Sequence, residues 1–158
     1  MKIRIETDDS ISEPEIVIRC GKIDAEVAKV QNALLEALYA ENRIKTEKEG
    51  KEYFFIPEEI LFFESSEGKT WAHTAGEVFE VKMRLYELET ILPASFIRIS
   101  KSAIVGCSKI YSVEKNLAGP SIISFRGSHK KISASRQYYK ILQEQLNRRY
   151  TRENQNGK

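Results

Sequence analysis

From residue 52 onward the chain consists largely of short segments in which apolar and polar residues alternate, separated by turn-forming residues. Alternation with a period of two is typical of β-strands that bury one face, and Gly, Pro, Ser and Asn between such segments are typical of turns. The pattern predicts strands in eight segments: EYFFIP, ILFFES, TWAHT, EVFEV, FIRIS, KIYSV, SIISF and KKISA. We therefore expect a mainly β domain (α+β overall) whose antiparallel strands are joined by hairpin loops.

Three segments have the apolar spacing of a helix instead. The first runs from about Ala25 to Ala40, the second from about Arg84 to Leu92, and the third follows Ser135, which can cap it. The third helix is expected to bury four side chains: Tyr138, Ile141, Leu142 and Leu146. The polar residues 149–158 that follow are expected to form a flexible tail.

Ahead of the first helix, the segments KIRIE and EIVIRC also alternate, which predicts an N-terminal β-hairpin. Its buried side chains would be four isoleucines: Ile3, Ile5, Ile16 and Ile18. Residues 41–51 contain a glycine and many charges, so this stretch is a candidate linker or domain boundary. The sequence thus predicts a hairpin-helix segment at 1–43 and a β-rich domain at 44–148.

Patterns that would indicate an enzyme or a metal site are incomplete in this chain. The GKT at 68–70 lacks the earlier glycine of a phosphate-binding loop, because that position is Phe63. His73 and His129 have no neighbouring ligand cluster in sequence, and the two cysteines are not in CxxC spacing. We therefore expect no catalytic residues, no metal ligands, no cofactor and no small-molecule substrate.

The apolar segments are all shorter than the roughly 20 residues that a membrane-spanning helix needs, and the N-terminus has acidic residues where a signal peptide would be apolar. These features predict a soluble, cytoplasmic protein.

Charge is distributed very unevenly along the chain, although its net charge is only +2. Residues 1–95 hold 12 Lys/Arg and 20 Asp/Glu, whereas residues 96–136 hold 8 and 1, and residues 137–158 hold 5 and 2. A basic segment within an otherwise acidic chain is the pattern expected of a surface that attracts a polyanion. A solvated surface without a partner is the alternative that charge alone leaves open.

The cations of the basic segment fall mostly at the ends of predicted elements: Lys101, Arg126, Lys130, Lys131 and Arg136. Arg can make paired hydrogen bonds to guanine, and Lys, Ser and Thr can contact phosphates or base edges. The predicted helices lack the basic stripe that a groove-reading helix needs. The sequence therefore predicts a domain that contacts double-stranded DNA through loops and strand ends, with Lys130 among the contacts.

Four segments in this order resemble the LytTR-type DNA-binding domain of bacterial transcription regulators: FFIPEEILFFESSEGKTWAHT, EVFEVKMRLYELETIL, FIRISKSAIVG and KKISASRQYYKIL. The resemblance covers about residues 44–148. It implies an elongated arrangement of small antiparallel β-sheets with short helices, in which loops enter successive major grooves of promoter DNA. It also implies a sequence-specific regulator of transcription.

The resemblance further implies three places of DNA contact. The loop after FFESS supplies Lys69 and Thr70, and the start of the last helix supplies Arg136. The motif F-x-R-x-[HS]-[KR]-S matches FIRISKS and supplies four residues: Arg98, Ser100, Lys101 and Ser102. Lys101 is the foremost of these, whereas Arg98 can either touch a phosphate or pair with an acid of the neighbouring sheet.

This sequence departs from the family pattern at two positions. Ala103 stands where the family often has an aromatic residue, and Gly106 where it often has Asn. We expect the first to change a core contact, and the second to remove a hydrogen bond at that turn.

Many members of the family carry a receiver domain, and 43 residues are far fewer than the roughly 100–150 of a typical domain. The expectation is a stand-alone regulator whose acidic N-terminal segment serves dimerisation or partner contact, or simply packs on the DNA-binding domain. The competing hypothesis is a protein-interaction module whose basic face binds an acidic or membrane-associated partner. The two differ in salt dependence and in preference for one DNA sequence.

Overall fold

The computed structural model describes residues 4–7, 15–40 and 43–156. The chain divides into two compact units, Met1–Ala37 and Leu38–Lys158, which are described separately below. The described residues contain three helices: α1 (Ala25–Ala40), α2 (Leu85–Ile91) and α3 (Arg136–Asn156). They also contain ten strands: β1 (Ile44–Lys48), β2 (Lys51–Phe55), β3 (Phe62–Ser66), β4 (Lys69–His73), β5 (Val78–Val81), β6 (Phe96–Ser100), β7 (Ala103–Gly106), β8 (Ile110–Glu114), β9 (Ser121–Phe125) and β10 (Lys131–Ala134).

In the first unit, α1 has the bounds that the sequence predicts. Asp24 caps the helix, since one of its carboxylate oxygens accepts hydrogen bonds of 3.0 Å from the backbone N–H groups of Glu26 and Val27. A carboxylate at this position also interacts favourably with the positive end of the helix dipole.

The predicted N-terminal hairpin is wrong for the residues that the structure describes. Residues 4–7 and 15–20 have no regular secondary structure, and the rest of the predicted hairpin, including Ile3, lies outside the described residues. Two of the isoleucines expected to be buried are mostly exposed, Ile5 at 86% and Ile16 at 62%. A two-stranded hairpin is marginal in water unless its apolar face packs on something else, so alternation alone does not secure it.

The strands described in the second unit form two antiparallel sheets. The large sheet has the order β2-β1-β5-β4-β3-β7-β6, and the small sheet has the order β10-β9-β8. Together with α2 and α3 they confirm the expected mainly antiparallel β fold with short helices. Short 3-10 turns at Pro57–Glu59 and Cys107–Lys109 precede β3 and β8.

The middle of the large sheet is buried on both faces. On β3, Phe62 belongs to a core cluster shared with the small sheet and α3, whereas its neighbour Phe63 belongs to a second cluster that includes Leu85 and Leu88 of α2. Side chains of successive strand residues point to opposite faces, so adjacent phenylalanines supply both cores. The sheet is thereby fixed between α2 on one side and the small sheet with α3 on the other.

Two strands were missed by the sequence reasoning. The predicted linker at 41–51 instead contains β1 and the turn Glu49–Gly50 that joins it to β2. Ile44 and Thr46 of β1 are buried, so a strand alternation was hidden among charged residues. Strand β7 was missed because all four of its residues are buried, which leaves no alternation to recognise.

The last helix is longer than the sequence suggests. It continues to Asn156, through most of the stretch predicted to be a flexible tail, and its residues include good helix formers such as Arg, Gln and Glu. Leu142 is fully buried as expected, but Ile141 is 49% exposed. In the part of the chain that the structure describes, no helix is both long and apolar enough to cross a membrane.

Candidate nucleic-acid interface

Two turns of the large sheet lie side by side at the same end of the domain. Strand β3 leads into the turn Glu67–Gly68, and β7 begins just after the turn formed by Lys101 and Ser102. Because β3 and β7 are antiparallel neighbours, with Glu64 opposite Ala103, both turns project from the same end. The Ser65 N–H donates a 2.8 Å hydrogen bond to the Ser102 carbonyl, which joins the end of β3 to the turn between β6 and β7. We call this the β6–β7 end.

The start of α3 is held at the same end. The Ser135 N–H, one residue after β10, donates a 2.8 Å hydrogen bond to the carbonyl of Ile99 in β6. Arg136 follows immediately and is exposed. The structure therefore brings together the three places that the sequence singled out, represented by Lys69, Lys101 and Arg136.

The β6–β7 turn is shaped by its own serines. The Ser100 hydroxyl oxygen accepts a 3.1 Å hydrogen bond from the Ser102 N–H, and the two serine hydroxyls lie 3.4 Å apart. Lys101 between them is exposed and has no ion-pair partner among the described residues. The turn thus presents one unneutralised ammonium group flanked by two hydroxyl groups.

Arg98 braces this turn from inside the protein. Its Nε donates a 2.8 Å hydrogen bond to the Ser100 carbonyl, one Nη donates to the Lys101 carbonyl, and the other bonds Glu89 of α2 at 2.8 Å. The side chain is only 22% exposed. These contacts resolve the ambiguity left by the sequence, because the guanidinium is occupied by protein groups. Arg98 is placed to hold Lys101 in position, and the geometry gives no support to a direct DNA contact.

The β3–β4 turn needs its glycine. Glu67 and Gly68 both have positive φ angles, 52° and 76°, as in the type I′ turns that connect tightly paired strands. Gly68 adopts this conformation without the steric cost that a side chain adds. The turn delivers Lys69 to the first position of β4, at the β6–β7 end.

Lys69 is exposed but paired with an acid. Its ammonium lies 3.0 Å from a carboxylate oxygen of Glu80 and 5.7 Å from the centre of the Trp71 ring. Glu80 also bonds Lys82, and hydrogen bonds from Lys82 and Lys69 lower the pKa of Glu80. Lys69 must leave this acid before it can contact a phosphate.

Thr70 and Lys130 are not placed with the exposed cations. Thr70 is only 6% exposed, so its burial gives no support to a direct contact with DNA. Lys130 lies at the opposite end of β4, where its ammonium donates to the Glu77 carbonyl. The neighbouring Ser128 hydroxyl donates a 2.8 Å hydrogen bond to the Ala75 carbonyl. We call this the β4–β5 end.

His73 is a partly buried titratable group near the β4–β5 end. Its ring stacks on Phe62 with centroids 4.1 Å apart, and its Nε2 lies 3.5 Å from a carboxylate oxygen of Glu64. Burial, with a smaller contribution from the charge of Lys130, lowers the pKa of His73 to about 4. The imidazole is therefore neutral near pH 7 and packs as an aromatic ring.

The two departures from the family pattern are both core positions. Ala103 is 2% exposed and belongs to the core shared with the small sheet. At Gly106 an added Cβ would lie 3.1 Å from the Phe96 ring and 3.4 Å from the Ile60 carbonyl oxygen. A side chain at this position would displace the ring, so the glycine fits a close packing contact.

The sequence reasoning missed two residues at the β6–β7 end. Glu89 was missed because its partner Arg98 lies in a different element. Lys115 was missed because it approaches Tyr139, 24 positions along the chain, with its ammonium 5.6 Å from the ring centre. A short strand followed by a polar loop gives no sign of either contact.

Among the described residues there is no helix-turn-helix arrangement, since α2 and α3 are separated by strands β6 to β10. The second unit instead presents cations from three different connections at one end of a β fold. These features place the second unit among mainly β domains with an exposed basic end, which differ from domains of the helix-turn-helix type.

Comparisons with known proteins identify the family. Residues 51–147 match the LytTr DNA-binding domain, and the chain belongs to this family. The matched range leaves out β1, although β1 pairs with both β2 and β5 of the large sheet.

Relatives and a solved structure agree with this assignment. A protein of Staphylococcus aureus strain NCTC 8325, named as an uncharacterized HTH-type transcriptional regulator, is 30% identical over 92% of this chain and 98% of its own length. A second protein of the same description, from Staphylococcus aureus strain MSSA476, is 38% identical over 56% of this chain and 59% of its own length. The solved LytTr DNA-binding domain of a regulator from Bacillus cereus has a TM-score of 0.61 and 20% identity, covering 66% of this chain and 96% of that one, which shows the shared fold.

Proposed function

We propose that this chain, a DNA-binding transcriptional regulator, recognises a specific promoter sequence by inserting the β6–β7 end into successive major grooves. The observation that carries this proposal is the pair of backbone hydrogen bonds, Ser65 to Ser102 and Ser135 to Ile99. These bonds fix three cation-bearing connections relative to one another before DNA arrives. A preorganised set of contacts loses less conformational entropy on binding.

The three cations have different parts in this proposal. Arg136 is exposed at the first position of α3, where its planar guanidinium can make paired hydrogen bonds to a guanine. Lys101 contacts a base edge or a phosphate, assisted by the hydroxyls of Ser100 and Ser102. Lys69 exchanges its ion pair with Glu80 for a phosphate. Its contribution to the free energy of DNA binding is therefore reduced by the cost of breaking that ion pair.

We propose a homodimer as the form that binds adjacent half-sites, with the N-terminal segment as the contact between copies. Support comes from α1, where Val27, Val30 and Leu34 recur at helical spacing and are only partly buried. The segment before the helix also exposes apolar side chains, including Val17 at 62%. Contact of the same segment with a different protein partner is the alternative. Sedimentation equilibrium of the full chain, alone and with DNA, distinguishes one copy from two.

Regulation of a bacterial promoter requires the protein to reach the chromosome, so the proposed site of action is the cytoplasm.

Selection of duplexes from a random library by the full chain tests the proposed DNA recognition. We expect an enriched site that is bound at least a thousandfold more tightly than unrelated duplex at moderate salt. Affinity for either duplex should fall with salt, by about 0.9 log unit per log unit for each phosphate contacted. Protection from cleavage should extend over two successive turns of the duplex.

Failure to enrich any sequence would overturn this proposal. A uniform, salt-sensitive affinity for all duplexes would then favour the interaction module, whose basic face binds an acidic or membrane-associated protein.

A further inference from the structure

A fourth connection, the loop between β8 and β9, also lies at the β6–β7 end. At the end of β8, Glu114 pairs with Ile122, and at the start of β9, Ser121 pairs with Ala134. Ala134 is the last residue of β10 and is followed by Ser135, which bonds β6. Residues 115–120 therefore emerge beside the start of α3.

Lys115, the first residue of this loop, lies against the first turn of α3. Its ammonium is 5.6 Å from the centre of the Tyr139 ring, and the Tyr139 N–H donates a 3.1 Å hydrogen bond to the Ser135 carbonyl. Residues three apart on a helix share a face, so Tyr139 lies next to Arg136. The Lys115 ammonium is thus held close to the helix face that carries Arg136.

The surroundings of Lys115 leave its ammonium group free to bind an anion. Lys69 is paired with the carboxylate of Glu80, whereas the described residues place no acidic group within ion-pair distance of Lys115. An aromatic ring attracts an ammonium group without neutralising it. Lys115 is exposed, and its long side chain can reach an anion while its methylene groups remain on the ring.

The loop itself is held by local hydrogen bonds. The Asn116 side-chain oxygen accepts a 3.0 Å hydrogen bond from the Ala118 N–H, and the Asn116 N–H bonds the hydroxyl of Ser121, which is 3% exposed. Lys115 therefore starts from a fixed backbone at the end of a paired strand. Its placement does not depend on a loop that must first become ordered.

We propose that Lys115 is a fourth DNA contact, which binds a backbone phosphate next to the position of Arg136 with Tyr139 as its support. The proposal rests on the proposed function, because it uses the same end of the domain and the same duplex. A phosphate is the expected ligand since Lys acts as a compact point charge without the paired geometry that Arg offers to a base. Lys115 adds affinity without adding sequence preference.

The test compares Lys115→Gln with the unchanged chain on the duplex selected from the random library and on an unrelated duplex. Loss of one phosphate contact should reduce the salt slope by about 0.9 and lower affinity about fivefold at 0.15 M salt. Both duplexes should lose the same factor, so their affinity ratio should stay unchanged. In an ethylation interference experiment, binding of the unchanged chain should be impaired by ethylation of one phosphate beside the base assigned to Arg136. Binding of Lys115→Gln should not be impaired by ethylation of that phosphate.

Three variants control for structural effects. Lys109→Gln removes a lysine at the other end of β8, and its salt slope should equal that of the unchanged chain. Lys115→Arg keeps the charge and should keep the slope. Tyr139→Phe keeps the ring and should behave like the unchanged chain, and all three should retain the thermal unfolding transition.

The outcomes separate this inference from the proposed function. An unchanged slope and interference pattern in folded Lys115→Gln would overturn the fourth contact, while a selected site that still depends on Lys101 would leave the proposed function standing. A changed affinity ratio would also contradict the inference, because it would make Lys115 a base-reading residue. If the unchanged chain selects no duplex, the proposed function itself fails.

Discussion

The two ends of the large sheet both carry basic residues, yet the structure employs them differently. At the β4–β5 end, Lys130 donates to the Glu77 carbonyl and Lys48 pairs with the Glu77 carboxylate at 3.1 Å. At the β6–β7 end, Lys101 and Arg136 are exposed, whereas Arg98 is engaged by internal contacts and Lys69 pairs with Glu80. The comparison teaches that positive charge in a sequence does not reveal which cations are available.

The largest effect is expected from Arg98→Ala, which removes the brace of the β6–β7 turn. Three hydrogen-bonded groups would lose their partner, so we expect the free energy of unfolding to fall by about 1–3 kcal/mol. Affinity for the selected duplex should also fall at least tenfold, because Lys101 would no longer be held in position. Urea unfolding and DNA titration of the same variant measure both quantities.

Glu89→Gln separates a brace from a DNA contact. Removing an acidic charge near DNA would strengthen binding if charge alone mattered. If Arg98 instead holds Lys101 in position, Glu89→Gln should cause a modest loss of affinity for the selected duplex, because Arg98 loses its charged partner. Stronger binding by Glu89→Gln would contradict the role of the Arg98–Glu89 pair in holding Lys101 for DNA.

The next largest effect is a loss of DNA affinity when the exposed cations are replaced. Lys101→Ala and Arg136→Ala should each weaken the selected site by about 1–3 kcal/mol if they contact bases, while the free energy of unfolding stays unchanged. Lys51→Ala is the matched control, since Lys51 is an exposed lysine beside the β1–β2 turn, away from the β6–β7 end. Equal losses in all three variants would mean that net charge, and not position, determines binding.

The sequence predicted the fold where alternation was visible and failed where packing partners lay elsewhere. Eight of the strands and all three helices were found, but β7 has no exposed residues to reveal its alternation. Ile5, Ile16 and Ile18 follow the alternation and are nevertheless exposed, because burial needs a second surface that the sequence pattern does not specify. The family resemblance pointed to Lys101 and Arg136, which the structure places at the same end of the domain. It could not show that Arg98 points inward, because two of its partners are backbone carbonyls.

The fourth prediction uses pH to examine the β4–β5 end. Because burial lowers the pKa of His73 from 6.5 to about 4, the unfolded chain binds a proton more readily than the folded one between these values. The contribution of His73 to the free energy of unfolding should therefore be fully present above pH 6.5, and it should decrease as the pH falls toward 4. We expect a loss on the order of 1–2 kcal/mol between pH 7 and pH 5 from this group.

Urea unfolding of the unchanged chain and of His73→Gln at both pH values isolates this contribution. The variant should lose less stability than the unchanged chain over the same interval, since it has no imidazole to protonate. Parallel pH dependence in the two proteins would contradict the low pKa. Lys130→Ala should make the decline shallower, because the charge of Lys130 adds to the lowering.

The smallest effect is expected from Lys130→Ala itself, and it tests the comparison most directly. Lys130 was among the predicted DNA contacts, but its ammonium bonds the Glu77 carbonyl and burial lowers its pKa. Its replacement should cost about 0.5–1.5 kcal/mol of stability, the usual net value of one hydrogen bond. The affinity ratio between selected and unrelated duplex should not change. If that ratio falls as far as in Lys101→Ala, the β4–β5 end also contacts DNA, and the hydrogen bond to Glu77 must break on binding.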